Sequence, residues 1–350
     1  MAAFRSDKVI RTRKPKLVVF AVSIIGVVFV LLASAVGWYV VQTQPVSDSQ
    51  VETLIIVPEG ATPDEIGKLL KERGIIKSAY AFQVYLRINS STESLQAGTY
   101  VMTPSDTLAK IVDKISTGIV AQEFITILPA QRLDQIKTTF AASGYSLEEI
   151  SRAFEPSQYA SHPALVDKPL DASLEGYLYP ETYSRTLQTS LNDIITTALD
   201  ETAERLTPEL KSAFAARKLT VHEAVILASI VEREVNNDAD RKKVAQVFLK
   251  RYQEGIMLGS DPTALYGALK AGIEPSVFAD TPYNTRLYVG LPPGPINTVS
   301  SSSLEAIANP AATDFLFFVS GDDGNTYFSR TLDEHEALTA QHCIELCKSY

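Results

Sequence analysis

Glu232 lies within Val221–Val235 (VHEAVILASIVEREV), a segment with helical spacing. At about 100° per residue, Val221, Val225, Ala228 and Val235 all project within about 60° of it. A carboxylate on an apolar stripe is paired, protonated or functional. Desolvation raises a carboxyl pKa, and an acid held protonated near neutral pH can protonate the leaving oxygen of a glycosidic bond. The competing structural reading is a buried or rim salt bridge, for example with Arg251. Glu234 projects from another side of the helix, with Glu223, and is expected to face solvent.

Other chemistries find little support. His222-Glu223 begins like a zinc-protease motif, but Ile226 occupies the place of the second histidine. Neither a P-loop, a G-x-G-x-x-G turn nor a G-x-S-x-G elbow is present, and four histidines leave few members for a triad. No metal and no cofactor is implied. Two segments suit a sugar-binding groove. Leu174–Tyr183 (LEGYLYPETY) concentrates tyrosines and acids, and Gly290–Pro295 (GLPPGP) is a stiff loop that cannot be helix or central strand. The alternatives are tyrosines tucked into the core and a plain connection.

Around these segments the pattern predicts an α+β protein. Strands are expected at Val51–Val57, Gly98–Met102, Glu123–Leu128, Phe315–Ser320 and Thr326–Arg330, the last two forming a hairpin across Gly321–Asn325. Helices are expected near Asp64–Arg73, Ser78–Ile88, Thr107–Ser116 with Ser105 as cap, Leu133–Ser143, Leu191–Leu206, Pro208–Arg217, Val221–Val235, Lys242–Glu254 and from about Asp333. Residues 51–120 read as a small α+β module without a catalytic constellation, and residues 121–350 as a mixed helical and β domain that carries the chemistry.

Leu17–Val41 runs 25 residues without a charge and ends in Trp38-Tyr39, which reads as a single transmembrane helix followed by a short stalk at 42–50. A cleaved signal peptide is the alternative, but its apolar region is ordinarily about 7–15 residues. Residues 1–16 carry six basic side chains against Asp7, a local excess of five positive charges, so the −9 of the whole chain becomes −14 over the remainder. The basic segment places the N-terminus in the cytoplasm and residues 42–350 outside. The acidic remainder argues against a nucleic-acid partner. Cys343 and Cys347 cannot build a disulfide framework or a zinc site, and their pairing is left open.

Read in order, LEGYLYPETY at Leu174–Tyr183, ILASIVEREV at Ile226–Val235, VFLKRYQEGIMLGSDPTALYG at Val247–Gly267, TPYNT at Thr281–Thr285, GLPPGPI at Gly290–Ile296 and NPAATDFLFFV at Asn309–Val319 resemble the YceG-like family of endolytic murein transglycosylases. The resemblance implies cleavage of the β-1,4 bond between N-acetylmuramic acid and N-acetylglucosamine within peptidoglycan strands. It implies 1,6-anhydro ends formed without water or metal, and an anchored enzyme at the bacterial cytoplasmic membrane that limits the length of new strands. It also implies a LysM-like first module, Glu232 as the catalytic acid, and polymerising synthases as partners. Glu175, Tyr177, Tyr179, Glu181, Asp261, Thr263, Tyr283, Asn284, Pro292 and Pro293 would line the glycan cleft. Two departures stand out: Lys250-Arg251 replaces the family's usual asparagine-arginine pair, and Asn297–Ser303 replaces the usual turn into a serine-capped helix. A non-catalytic peptidoglycan-binding scaffold and a hydrolytic muramidase remain alternatives; the latter would need a second carboxylate about 5–9.5 Å from the first.

Overall fold

A computed structural model describes residues 15–91, 95–118, 123–186, 189–235 and 237–348. Most of the basic segment and the expected boundary at 120/121 lie outside the described residues. The chain divides into two compact units, residues 1–122 and 123–350.

The first unit begins with helix α1, Pro15–Thr43, whose stretch Val22–Thr43 is long and apolar enough to cross a membrane and is not buried within the protein. There follow β1 (Thr53–Val57), α2 (Pro63–Glu72), α3 (Ala79–Ile88), β2 (Gly98–Met102) and α4 (Leu108–Thr117). The two strands pair antiparallel, Thr53 opposite Met102 and Val57 opposite Gly98. Alternation along β1 buries Ile55 and Val57 and exposes Leu54 and Ile56, so one face of the ribbon packs on the helices. Thr62 and Glu65 form a capping box at the start of α2, and Ser78 caps α3. Thr107, not Ser105, caps α4: its hydroxyl accepts from Lys110 N. The Ser105 hydroxyl instead lies against that of Thr103.

The second unit contains β3 (Glu123–Thr126), α5 (Leu133–Ala142), α6 (Leu147–Ala153), β4 (Thr182–Arg185), α7 (Leu191–Arg205), α8 (Pro208–Ala216), α9 (Val221–Glu234), α10 (Asp238–Gln253), α11 (Asp261–Lys270), α12 (Ser301–Ala308), β5 (Phe317–Ser320), β6 (Thr326–Ser329) and α13 (Leu332–His342). Strands β3 and β4 form one antiparallel pair and β5 and β6 the expected hairpin. Helices α6, α11 and α12 were not expected from the pattern. Helix α12 corrects the reading of Asn297–Ser303 as an interruption: Ser300 caps it, accepting from Ser303 N.

Helix α9 is the axis of this unit, buried from Val221 to Glu232 except at Glu223, and packed against α8, α10, α11 and α12. Arg251, Lys250 and Gln246 of α10 donate to the carbonyls of Leu316, Asp314 and Phe315, so the 309–319 motif is laid along α10. Cys343 and Cys347 are joined by a disulfide, and the Asp322 carboxylate of the hairpin loop accepts from the N–H groups of Ile344, Glu345 and Leu346.

Two motifs far apart in sequence meet at Gly176. Its φ of +84° is one that side chains rarely adopt, and a Cβ there would stand 2.5 Å from Pro295 Cβ and 3.3 Å from Val225 Cγ1. Gly144 (φ +94°) shares the conformation with nothing within 4 Å of such a Cβ. We expect Gly176→Ala to cost about 2–4 kcal/mol and Gly144→Ala only about 1 kcal/mol. Thermal unfolding of the full chain in detergent checks this, and equal losses would mean that packing on Pro295 contributes nothing.

Candidate active site

Several polar side chains of α9 tie it to neighbouring segments. Ser229, fully buried, donates its hydroxyl to Ile226 O and accepts from Ile296 N at 3.1 Å, while its carbonyl accepts from Asn297 Nδ2 at 2.9 Å. One turn on, Glu232 Oε2 accepts from Ser300 N at 3.0 Å and from Ser300 Oγ at 2.5 Å. Its Oε1 lies 3.5 Å from Arg241 Nη2. Arg241 also binds Asp238 at 2.7 Å and Ser302 Oγ at 2.6 Å. The salt-bridge reading of Glu232 therefore describes its surroundings, with Arg241 rather than Arg251 as partner. Only 6 % exposed, this carboxylate anchors the start of α12, where the helix N-terminus favours an anion.

Glu234 departs from its expected place in open solvent. It is half-buried, and its Oε1 accepts from Ser260 Oγ at 2.6 Å. Burial pushes its pKa up to about 7, with the neighbouring Asp261 adding in the same direction and the Ser260 hydrogen bond opposing. Ser260 is the residue before α11 and is itself held by Thr285, whose hydroxyl accepts from Ser260 N.

Beside this pair lies a cleft of about 210 Å³ lined by Arg132, Arg233, Asp261, Pro262, Leu265, Tyr266, Leu269, Ile296 and Asn297. Of the residues expected to line a groove, Asp261 does so, paired with Arg286 at the rim. Tyr283 stands behind the wall, its ring 4.9 Å from that of Tyr266 and its hydroxyl accepting from Lys270.

The others are corrected by where they sit. Tyr177 is fully buried, its hydroxyl 2.6 Å from His222 Nδ1. Tyr179 bonds Ser301 and lies under Arg205. Glu181 is exposed ahead of β4, its side chain accepting from Thr182 N. Thr263 and Asn284 are fully buried ties: Thr263 donates to Ser260 O and bonds Thr285, and Asn284 donates to Val277 O and Ala279 O. Pro292 is buried and Pro293 exposed, and neither lines the cleft. Glu175 is sealed at 5 % exposure. It accepts from Leu133 N and from Tyr266 Oη, each at 2.9 Å. It thus caps α5, whose own cap residue Arg132 makes no side-chain capping bond, and ties that end to α11. Missed by the sequence reading were Arg132, Arg233, Tyr266 and Asn297; the clue for Arg233 and Tyr266 was their presence within the quoted motifs.

The sequence signature of the YceG-like family matches residues 55–341. The chain belongs to the YceG-like family. Among its relatives, the endolytic murein transglycosylase of Bacillus subtilis is 33% identical over 82% of this chain and 84% of its own length. That of Streptococcus pneumoniae strain D39 is 29% identical over 90% of this chain, which spans 64% of that longer protein. A solved YceG-like protein from Listeria monocytogenes superposes with a TM-score of 0.54 at 30% identity, covering 83% of this chain and all of the other.

Glu175 offers a test of the cleft's frame. Burial lifts its pKa to about 7 against its two hydrogen bonds. A carboxyl raised in the folded state contributes stability that is present below its ordinary value of 4.5 and lost as pH rises through about 7. Glu175→Gln escapes that loss, which amounts to about 3 kcal/mol by pH 8. The Tm of the variant relative to the parent should therefore climb between pH 5 and pH 8, and parallel pH profiles would contradict the assignment.

Proposed function

We propose that the protein is a membrane-anchored endolytic peptidoglycan transglycosylase, with Glu234 rather than Glu232 as its acid and base. The observation that carries the reading is a carboxyl with a pKa near 7 beside a cleft, in a chain whose relatives bear that enzymatic name. Protonated Glu234 gives its proton to the oxygen between N-acetylmuramic acid and N-acetylglucosamine. Its carboxylate then takes the proton of the muramic C6 hydroxyl as that oxygen closes on C1, leaving a 1,6-anhydro end. One carboxyl acts twice, so the second carboxylate of hydrolytic glycosidases is not required. The Ser260 hydroxyl fixes one oxygen of the acid and steadies its ionised form.

Further parts of this proposal concern setting. The apolar stretch Val22–Thr43 anchors the chain, and the basic segment before it keeps the N-terminus cytoplasmic, so that the cleft faces new glycan outside. The strand, helix, helix, strand order of the first unit supports a LysM-like glycan-holding role, and neighbouring synthases would be its partners. Cleavage there would limit strand length.

Full chain in detergent, incubated with purified peptidoglycan, should release internal fragments ending in 1,6-anhydro-muramic acid by mass spectrometry. Glu234→Gln should lower the rate by about 10²–10⁴-fold, and the parent rate should fall as pH rises through about 7. Glu232→Gln should chiefly lower Tm, because it removes one of the two carboxylates that pair with buried Arg241. Full activity in Glu234→Gln, with loss in folded Glu232→Gln, would restore Glu232 as the acid. Reducing-end products would instead mark a muramidase, with Asp261 as the second carboxylate.

A further inference from the structure

The cleft is equipped for more than a neutral sugar. Arg233 is exposed and makes no hydrogen bond or ion pair among the described residues, in a chain of net charge −9. Arg132 spends Nε and Nη2 on Asp134, both at 2.9 Å, and its Nη1 makes no hydrogen bond among the described residues. Asn297 lines the same cleft and is fully buried; its Nδ2 is committed to Ser229 O and its Oδ1 has no partner among the described residues. A buried acceptor without a donor is costly in a folded protein and points to a donor arriving with a ligand. Hydroxyls alone would not call for guanidinium groups, which match planar carboxylates. A ligand that carries both an N–H and a carboxylate is a peptide.

We infer that Arg233, Arg132 and Asn297 form a subsite for the carboxylate-bearing stem peptide that branches from muramic acid. This rests on the transglycosylase reading and deepens it. Arg233 directly precedes Glu234, so a carboxylate on Arg233 sets the register of the muramic residue against the acid. The peptide amide N–H meets Asn297 Oδ1, and the apolar Leu265, Leu269 and Ile296 flank the peptide's carbon skeleton. The lactyl carboxylate of muramic acid is a second source of the same chemistry, but it is free only where the peptide has been removed.

The test compares three glycans with the full chain in detergent: native peptidoglycan, peptidoglycan whose stem carboxylates have been chemically amidated, and glycan stripped of peptides by an amidase. Both KM for fragment release and co-sedimentation are measured. The parent should bind native glycan about tenfold more tightly than the amidated or stripped forms. In Arg233→Gln the native-to-amidated ratio should fall to about one, while Arg233→Lys should keep part of it. Because Arg233 is exposed, folding is not at stake. A parent ratio near one, or an unaltered ratio in Arg233→Gln, overturns the subsite. Stripped glycan bound as well as native would assign the lactyl carboxylate instead of the peptide. Should nothing be cleaved, the enzymatic reading fails, while the co-sedimentation ratios still decide the subsite.

Discussion

A buried helix face cannot leave a polar group idle, and α9 carries two on the face that meets the 290–300 segment. Ser229 and Glu232 are three residues apart and therefore neighbours on the helix surface. The proline-rich segment has the complementary need, since it cannot satisfy its backbone in a helix or a central strand. Ser229 takes the N–H of Ile296 and the amide of Asn297; Glu232 takes the N–H and hydroxyl of Ser300. Thr298 extends the clasp to Gln131 and Leu128 ahead of α5. The cleft wall at Ile296 and Asn297 and the start of α12 are both consequences of this pairing.

Two glutamates two residues apart, about 200° around the helix, thus meet opposite surroundings. Glu232 faces inward to a serine cap and a guanidinium, which occupy both its oxygens. Glu234 is the last residue of α9, where the helix dipole disfavours an anion, and burial together with the neighbouring Asp261 outweighs the Ser260 hydrogen bond and the pull of Arg233 and Arg251. The same apolar stripe that makes Glu232 conspicuous in sequence brings it against Ser300 and Arg241.

Most of the elements were legible, because α9, α10 and the hairpin carry strong periodicity and turn chemistry. Helices α6, α11 and α12 were not: α11 is a short run opening on Asp-Pro, and α12 is a short serine-rich run whose cap is completed by a side chain from α9, 68 positions earlier. The site was legible as a set of motifs and not as a set of roles. Tyr177, Thr263 and Asn284 are polar by type, which suggests a groove, yet they are buried with their hydrogen bonds made internally. Periodicity along one helix identifies a buried carboxylate but contains no information about which distant arginine or serine will meet it. Arg241, Ser260 and Ser300 come from three other places in the chain.

Glu175 and Glu234 share a pKa near 7, so proton affinity alone does not choose between them. Access does. Glu175 has one oxygen on Leu133 N–H and the other on the Tyr266 hydroxyl, behind the cleft wall. A proton on it has no route to a substrate without breaking the tie between α5 and α11. Glu234 spends one oxygen on Ser260, and its other oxygen makes no hydrogen bond among the described residues. An acid that must give a proton and take one back needs a fixed oxygen and a free one, and of the two raised carboxyls only Glu234 has both.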